Sequence, residues 1–154
     1  MEHSFLRQAI EMAVENVRRD GGPFAAVVVK DGIRISTGAN QVTRTNDPTA
    51  HAEIVAIREA CRVLGDFQLS GCDLYSSCEP CPMCLGAIYW ARPAHVYFAA
   101  THEDAAAAGF DDSLIYREID LPYEERSIPM ECVADETATR PFQEWALKND
   151  KIEY

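Results

Sequence analysis

The pattern of apolar positions divides the first part of the chain into a helix and two strands. Apolar residues recur at helical spacing from Phe5 to Val17, which predicts an amphipathic helix that ends near residues 20–22, Asp-Gly-Gly. The apolar run from Phe24 to Lys30 favours a strand, and Asp31-Gly32 leads into a second strand-like run from Ile33. We therefore expect the sheet to begin as an antiparallel hairpin with the helix packed on it.

Helices and strands alternate through the middle of the chain. Residues 46–49, Asn-Asp-Pro-Thr, predict a helix start, and Gly65 is expected to end the helix that follows. The next predicted elements are a strand, a helix opened by proline and another strand, over Asp73–Ser76, Pro80–Ala91 and His95–Ala99. This alternation predicts an α/β sandwich with a mixed sheet.

The final third of the chain adds one more strand to the prediction. The elements expected there are a helix over Asp104–Gly109, a proline-bounded connector over Leu121–Pro129, a strand over Ile128–Val133, a helix over Arg140–Asn149 and an exposed tail over Asp150–Tyr154. The predicted fold is a three-layer αβα sandwich around a central mixed five-stranded sheet. We expect a single domain over residues 1–154.

The charge balance disfavours several kinds of partner. With 25 acidic and 14 basic residues the formal net charge is -11, so a polyphosphate chain would be repelled. Residues 1–5 lack the features of a signal peptide, and no apolar run approaches the roughly 20 residues that span a bilayer. We expect a cytoplasmic protein with neither nucleic acid nor membrane as partner. Its six cysteines then indicate metal ligands or free thiols rather than disulfides.

Two short motifs bring metal-ligating side chains to the starts of two predicted helices. His51-Ala52-Glu53 lies in the first turn of one, and residues 80–84, Pro-Cys-Pro-Met-Cys, open the next. Cys81 and Cys84 are three positions apart and therefore share a helical face. A helix N-terminus also favours the thiolate form, which is the form that binds zinc. Two sulfur ligands from one helical turn are therefore expected.

His51, Cys81 and Cys84 are the predicted metal ligands. His51 and Glu53 are about 200° apart on an ideal helix, so both reach one point only beyond the helix end. We therefore expect the metal between two helix N-termini. Three protein ligands leave the fourth tetrahedral position of zinc to water, which is typical of a catalytic site. Zinc lowers the pKa of that water toward neutrality, and the unligated Glu53 carboxylate can carry a proton to a leaving amine.

Cys78 offers an alternative in which the metal site is closed. It lies three residues before Cys81, and a fourth protein ligand would make a sealed structural site. The open site is favoured because two separated motifs agree and because Glu53 has no function in a sealed one. We interpret Cys78 as a buried thiol, together with Cys61, Cys72 and Cys132. The histidines that match no motif are His3, His95 and His102.

The motifs H-x-E and P-C-x-x-C together are the signature of zinc-dependent nucleobase deaminases. The chain resembles the cytidine deaminase-like superfamily over essentially its whole length, and within it the small bacterial guanine deaminases. The zinc motifs specify the superfamily, whereas residues 109–112, Gly-Phe-Asp-Asp, and Glu153-Tyr154 point to the guanine branch. The other matching stretches are residues 22–24, 46–53, 77–84 and 86–90.

The resemblance implies a cytidine deaminase-like fold and one Zn²⁺ per chain with a bound water or hydroxide. It implies hydrolytic deamination of guanine to xanthine and ammonia, in purine salvage or catabolism. Glu53 would be the proton shuttle, and Asp112 would face the substrate N–H groups or relay a proton. The implied substrate-binding residues are Asn40, Phe24, Trp90, His51 and Tyr154, the last of which would close the pocket.

These implied base contacts suit the chemistry of a purine. Guanine offers N–H donors and ring acceptors, which pair with a carboxylate and an amide, and its flat ring suits aromatic faces. Each residue also fits a purely structural role. Phe24 and Trp90 fit as core residues, Asp112 as a helix cap and Asn40 as a turn residue.

Other functions share parts of this pattern. A tRNA adenosine deaminase has the same fold and zinc motifs, but it needs a positively charged face, which the acidic composition disfavours. Guanosine, cytosine and ammeline also carry an exocyclic amine on a flat ring, so the zinc geometry leaves them open as substrates. A zinc-stabilised binding module without catalysis is disfavoured by the intact Glu53 and by the open ligand position.

The resemblance also implies a homodimer that exchanges C-terminal segments, here residues 121–154. The connector is charged and carries Pro122 and Pro129, as would suit a segment that leads away from its own domain. A loop within one subunit would have the same sequence features, so both arrangements are consistent with the chain. The expected partners are a small purine substrate and a second copy of the protein.

Overall fold

The computed structural model describes residues 2–154, with side chains from Ser4 onward, so the side chain of His3 lies outside the described part. The chain divides into two compact units, Met1–Ser113 and Leu114–Tyr154. The first unit contains both zinc motifs. Within the described residues, no helix combines the length and the apolar character needed to cross a bilayer.

The sheet of the first unit is mixed, as predicted. Its strands are β1 (Ala25–Lys30), β2 (Ile33–Ala39), β3 (Cys72–Cys78) and β4 (His95–Ala100). Their order is β2-β1-β3-β4, so the predicted hairpin lies at one edge. β1 is antiparallel to both β2 and β3, whereas β3 and β4 are parallel. Over residues 2–154 the sheet has four strands, where the sequence analysis predicted five.

The helices of the first unit lie between these strands and before them. They are α1 (Glu2–Arg18), α2 (Val42–Thr45), α3 (Ala52–Leu64), α4 (Pro82–Ala91) and α5 (His102–Ala107). The periodicity predicted α1 and α4 closely, because each has an unbroken apolar stripe or a proline at its start. The unpredicted α2 is a single turn that Asn46 ends in the left-handed conformation (φ 53°).

Both faces of the sheet are covered, which confirms the three-layer sandwich. Successive residues of β1 point to opposite faces, and both sets are apolar because both are buried. Val27 and Val29 pack with Ala9 of α1 and with Tyr75. On the other face, Ala26 and Val28 belong to a cluster that includes residues of α3 and α4: Ala52, Ala56, Ile57, Ala60, Ile88 and Ala91.

The predicted start of α3 was wrong by several residues. Residues 46–49 form a turn instead of the first turn of the helix. The carboxylate of Asp47 accepts hydrogen bonds from the backbone N–H (2.8 Å) and the hydroxyl (2.7 Å) of Thr49. An Asp side chain that bonds two residues ahead favours a turn over a helix. The helix therefore begins at Ala52, with His51 as its N-cap residue.

The second unit contains a helix where none was predicted and lacks the predicted last strand. Its elements are α6 (Ser113–Ile119), which starts at the unit boundary, a 3₁₀ turn over Tyr123–Glu125 and α7 (Arg140–Leu147). Residues 128–133, all of them described, form no strand. Ile128 and Val133 are each 78% exposed, and a β-prone run forms a strand only where an edge and a packed face receive it.

The predicted connector over Leu121–Pro129 is ordered by its own contacts. Arg126 donates hydrogen bonds from Nε to the Leu121 carbonyl (3.2 Å) and from Nη2 to the Ile119 carbonyl (3.1 Å). Its guanidinium also lies 4.9 Å from the centre of the Tyr123 ring. This segment is therefore a structured turn of the second unit.

Candidate metal and active site

Two helix N-termini supply the predicted metal ligands. His51 is the N-cap residue of α3 and Cys81 is the N-cap residue of α4, and both have extended backbone conformations. Neither side chain forms a capping hydrogen bond with its helix. Cys84 lies in the first turn of α4 and is fully buried. His51 was predicted within the first turn of the helix, and its observed N-cap position lets the imidazole turn across the end of the helix.

The three side chains meet at a spacing that suits zinc. His51 Nδ1 lies 3.4 Å from Cys81 Sγ and 3.5 Å from Cys84 Sγ. All three candidate ligand atoms lie within 4.8 Å of one another. Tetrahedral zinc with ordinary Zn–S and Zn–N bonds places its nitrogen and sulfur ligands on the order of 3.6 Å apart. The donor set and its spacing therefore fit one tetrahedral zinc ion.

The electrostatics of this group also favour a cation. The pKa of Cys81 is lowered to about 4, mainly because the Cys84 side chain donates a hydrogen bond to its sulfur, with a further contribution from His51, whereas the pKa of Cys84 is raised by that same hydrogen bond and by burial. The pKa of His51 is raised, chiefly by its hydrogen bond with Cys81. A thiolate is thus stable at this position, and the thiolate is the form of cysteine that binds metals.

Glu53 lies beside the ligand group without belonging to it. It is in the first turn of α3 and is 6% exposed. The hydroxyl of Ser76 donates to Oε1 of Glu53 (3.0 Å), and Oε2 lies 3.4 Å from the sulfur of Cys84. Burial raises the pKa of the Glu53 carboxyl. A buried carboxyl with a raised pKa is suited to accept and return a proton near neutral pH.

Among the described residues, Cys78 does not belong to the group of His51, Cys81 and Cys84. It is buried, and its thiol donates to the backbone carbonyl of Thr101 (3.5 Å). Burial raises the pKa of the Cys78 thiol to about 11. This arrangement agrees with the open site. Of the other cysteines, Cys72 is buried, Cys61 is half-buried and Cys132 is exposed, so the prediction of burial was wrong for Cys132, which lies in the segment that forms no strand.

Two of the expected purine contacts, Asn40 and Phe24, are hydrogen-bonded to each other through their backbones. Asn40 is buried, its backbone N–H donates to the Phe24 carbonyl (3.0 Å), and its Oδ1 accepts from the Val42 N–H (3.2 Å). The ring of Phe24 meets Phe110 edge-on, with 5.0 Å between centroids. The pKa of Asp112 is raised, first by partial burial and then by the negative charge of Cys81. That interaction connects Asp112 electrostatically to the metal ligands.

Trp90 and Tyr154 are the exposed members of the expected substrate contacts. Trp90 lies near the C-terminal end of α4 and is 64% exposed. It follows Cys84 by six residues, about 9 Å along the helix axis. Tyr154 belongs to the second unit and is 71% exposed. The substrate roles of these two residues stay predictions.

Ser76 is a site residue that the sequence analysis missed. It lies on β3, is 2% exposed and holds the Glu53 carboxylate. A usable signal was present, because a small polar residue in an otherwise buried strand needs a hydrogen-bond partner. The sequence did not identify that partner, because Glu53 is 23 residues away and meets Ser76 only through the packing of α3 on the sheet.

The fold and the site together define a class of protein. An αβα sandwich in which one His and two Cys converge at two helix N-termini, with an unligated buried Glu beside them, is the arrangement of zinc-dependent deaminases. In agreement, residues 1–100 match the family described as the cytidine and deoxycytidylate deaminase zinc-binding region. The chain belongs to this family.

Individual relatives cover the chain to different extents. The guanine deaminase of Bacillus subtilis (strain 168) is 60% identical over the full length of both chains. The X-ray structure of guanine deaminase from Bacillus subtilis has a TM-score of 0.97 at 59% identity, covering 99% of this chain and 98% of that one. The tRNA-specific adenosine deaminase of Agrobacterium fabrum is 45% identical over 96 residues, which are 62% of this chain and 63% of that protein.

A structure of guanine deaminase from Nitrosomonas europaea is also similar, with a TM-score of 0.68 at 36% identity. It covers 70% of this chain and 63% of that one. The resemblance to the Bacillus protein therefore extends through both compact units, whereas the resemblance to the other two proteins covers about two thirds of the chain.

Proposed function

We propose that this protein is a hydrolase that deaminates guanine to xanthine and ammonia. The observation that carries the proposal is the convergence of His51, Cys81 and Cys84 beside the buried carboxyl of Glu53. The choice of guanine is supported by the full-length similarity to a guanine deaminase. That similarity spans the whole chain, and so covers residues 109–112 and Tyr154, which in the sequence pointed to the guanine branch.

The chain's own residues divide the reaction between metal binding and proton transfer. His51, Cys81 and Cys84 hold one Zn²⁺ per chain. Zinc bound there supplies a water molecule whose pKa is lowered toward neutrality. Glu53 accepts a proton at Oε2, the oxygen nearer the cysteine ligand, while Ser76 holds Oε1 in place. The water oxygen bonds to the ring carbon that carries the amine, and Glu53 returns the proton to the amine nitrogen, so that the C–N bond breaks and ammonia leaves.

The purine is held by a wall of amide, carboxyl and aromatic groups. The amide of Asn40 and the carboxyl of Asp112 pair with donors and acceptors on the base edge. Phe24 contacts the flat ring, with Phe110 packed edge-on behind it. The imidazole of His51 borders the same space from the metal side. Trp90 and Tyr154 complete the enclosure when substrate is bound.

The functional form is a homodimer that exchanges residues 121–154. Each unit separately supports this proposal, because each presents apolar surface that a second copy would cover. The first unit has an apolar groove of about 290 Å³ that is lined by α1 and the end of β4. In the second unit the exposed apolar side chains include Ile128, Val133, Phe142, Leu147 and Ile152.

The proposed substrate is tested with a panel of compounds that each carry an exocyclic amine on a flat ring. Purified protein is supplied with guanine, guanosine, adenine, cytosine and ammeline, and ammonia release is followed for each. We expect turnover of guanine with xanthine formed in equal amount. Release from cytosine or adenine but not from guanine would overturn the substrate assignment, while leaving the zinc deaminase site intact.

A further inference from the structure

Asn16 is a buried residue of α1 that contacts the segments carrying two of the proposed base contacts. Asn16 follows the buried Ala9 and Ala13 on the same helical face and is itself 4% exposed. A buried amide is costly unless its polar atoms are hydrogen-bonded. The hydrogen-bond partners of Asn16 therefore indicate which segments of the chain its side chain holds in place.

The side chain of Asn16 connects three separate segments of the chain. Its Nδ2 donates to the backbone carbonyls of Gly22 (2.7 Å) and Asn40 (2.9 Å). Its Oδ1 accepts a hydrogen bond from Nη2 of Arg44 (3.1 Å). These partners lie in the turn after α1, at the end of β2 and in α2. One amide thus fixes the relative positions of all three.

The two carbonyls that Asn16 binds are joined to each other through Phe24. The carbonyl of Gly22 accepts from the backbone N–H of Phe24 (2.9 Å), and the carbonyl of Phe24 accepts from the backbone N–H of Asn40 (3.0 Å). Asn16 therefore holds both ends of a short hydrogen-bonded path. Two of the proposed base contacts, Phe24 and Asn40, are on that path.

The residues around the side chain of Asn16 are packed too closely to rearrange freely. A Cβ atom on Gly21 would come within 2.4 Å of Asn16 Nδ2. A Cβ atom on Gly22 would lie 3.0 Å from the side chain of Asn40. The two glycines let the turn lie directly against both amides. A change at Asn16 is therefore transmitted to Phe24 and Asn40 instead of being absorbed locally.

We infer that Asn16 is a positioning residue for substrate binding, which sets Phe24 and Asn40 against the base. This inference rests on the proposed function of those two residues as base contacts. The metal ligands and Glu53 lie on α3 and α4, and Glu53 has its own support from Ser76. Loss of Asn16 therefore weakens binding of the base while metal binding and proton transfer persist. The expected signature is a raised KM with zinc content unchanged.

The test compares two variants of Asn16 with a control on the same helix. Asn16→Ala removes the whole connection, and Asn16→Asp keeps the shape and the Arg44 partner but removes both donated hydrogen bonds. The aspartate variant remains testable where the alanine variant is too unstable to purify. Each should raise KM by about 10- to 100-fold, the cost of a misplaced binding group, with kcat much less affected. Gln8→Ala is the matched control, because within the described structure the buried Oε1 of Gln8 has no hydrogen-bond partner.

A double variant separates positioning from general destabilisation. In an Asn40→Ala background, Asn16→Ala should raise KM clearly less than it does in the wild-type chain, because one of the two groups it positions is already gone. A full additional effect in that background would overturn the inference, as would an unchanged KM in both Asn16 variants or a loss of zinc. The kinetics use whichever base of the panel the wild-type enzyme deaminates. A substrate other than guanine would therefore contradict the proposed function without obscuring the role of Asn16.

Discussion

At the scale of single residues, the proposed mechanism gives metal binding and proton transfer to different side chains. The imidazole and the two sulfurs lie within 4.8 Å of one another, whereas the carboxyl of Glu53 is held to one side by Ser76 and Cys84. The two zinc motifs predicted which side chains come together, and the proximity of His51, Cys81 and Cys84 agrees with that prediction, whereas the division of roles stays a proposal. The support that Ser76 gives to Glu53 depends on tertiary packing and was not predictable.

Ser76→Ala is expected to lower kcat by about tenfold and to leave zinc content unchanged. The variant removes one hydrogen bond to a charged group, which is worth roughly 1.5–3 kcal/mol, and so loosens the proton shuttle. Steady-state kinetics and metal analysis check it. Ser36→Ala is the matched control, since Ser36 is another buried serine on the sheet whose hydroxyl donates to the Ala56 carbonyl (2.7 Å), away from Glu53. Equal kcat values in the two variants would contradict the role assigned to Ser76.

Asp112→Asn should impair catalysis far more than stability. Its carboxyl is partly buried near the negative charge of Cys81, where its pKa is raised, and we expect it to face substrate N–H groups. Asp111→Asn is the control, because Asp111 accepts from the backbone N–H of Ser113 (2.8 Å) and an asparagine can do the same. Turnover per folded molecule and the thermal midpoint are measured for both. A collapsed midpoint with normal turnover in Asp112→Asn would make this residue structural.

At the scale of elements, the position of α3 on the sheet decides where His51 and Glu53 lie. Ser36, Gly38 and Asn40 alternate along β2 and its end, and the first two contact α3. The approach is closest at Gly38, where a Cβ atom would lie 2.2 Å from the Ala52 carbonyl oxygen and 2.5 Å from the Ala56 nitrogen. The first turns of α3 can therefore pack on β2 only because this residue is glycine.

Gly38→Ala is expected to destabilise the protein by about 1–3 kcal/mol through overpacking. The displaced α3 should also bind zinc more weakly, since it carries His51. Denaturant unfolding and zinc affinity measure the two effects. Gly86→Ala in α4 is the control, because a Cβ atom there meets nothing within 4 Å. Alanine in that helix should be stabilising by roughly 0.5–1 kcal/mol. Equal stability of the two variants would contradict the close approach of β2 and α3.

Elements with a complete local signal were predicted well, and those that depend on partners were not. The hairpin of β1 and β2 follows from Asp31-Gly32 between two apolar runs, and α4 follows from its proline start. The start of α3 was placed too early because Asp47 forms a turn with Thr49. The strand expected over residues 128–133 did not form, since local β propensity cannot specify a pairing partner.

At the scale of the whole molecule, the role of residues 121–154 distinguishes a site completed by its own subunit from a site completed by the partner subunit. We expect that Tyr154 closes the site of the partner subunit. A chain with Glu53→Ala is coexpressed with a chain carrying Tyr154→Ala, after each is shown to be inactive alone. If Tyr154 acts in trans, one site of the mixed dimer has an intact Glu53 and an intact Tyr154, so part of the activity returns.

Two outcomes of this coexpression would count against the exchanged segment. Absence of recovery in a confirmed mixed dimer would show that every site carries one defect, as expected for a tail that acts in cis. Full activity of the Tyr154→Ala chain alone would remove Tyr154 from the substrate pocket altogether. Neither outcome affects the assignment of the metal ligands, which all belong to the first unit.

Glu53→Ala, with zinc content and guanine turnover measured on the same sample, tests most directly how the site works. The variant removes the proton shuttle and touches no ligand atom, so one zinc per chain should remain. Turnover should fall by at least about 100-fold, the scale of a lost general acid–base group. Loss of the zinc would make Glu53 a ligand, and retention of turnover would show that another group moves the proton; either result would contradict the division between metal binding and proton transfer.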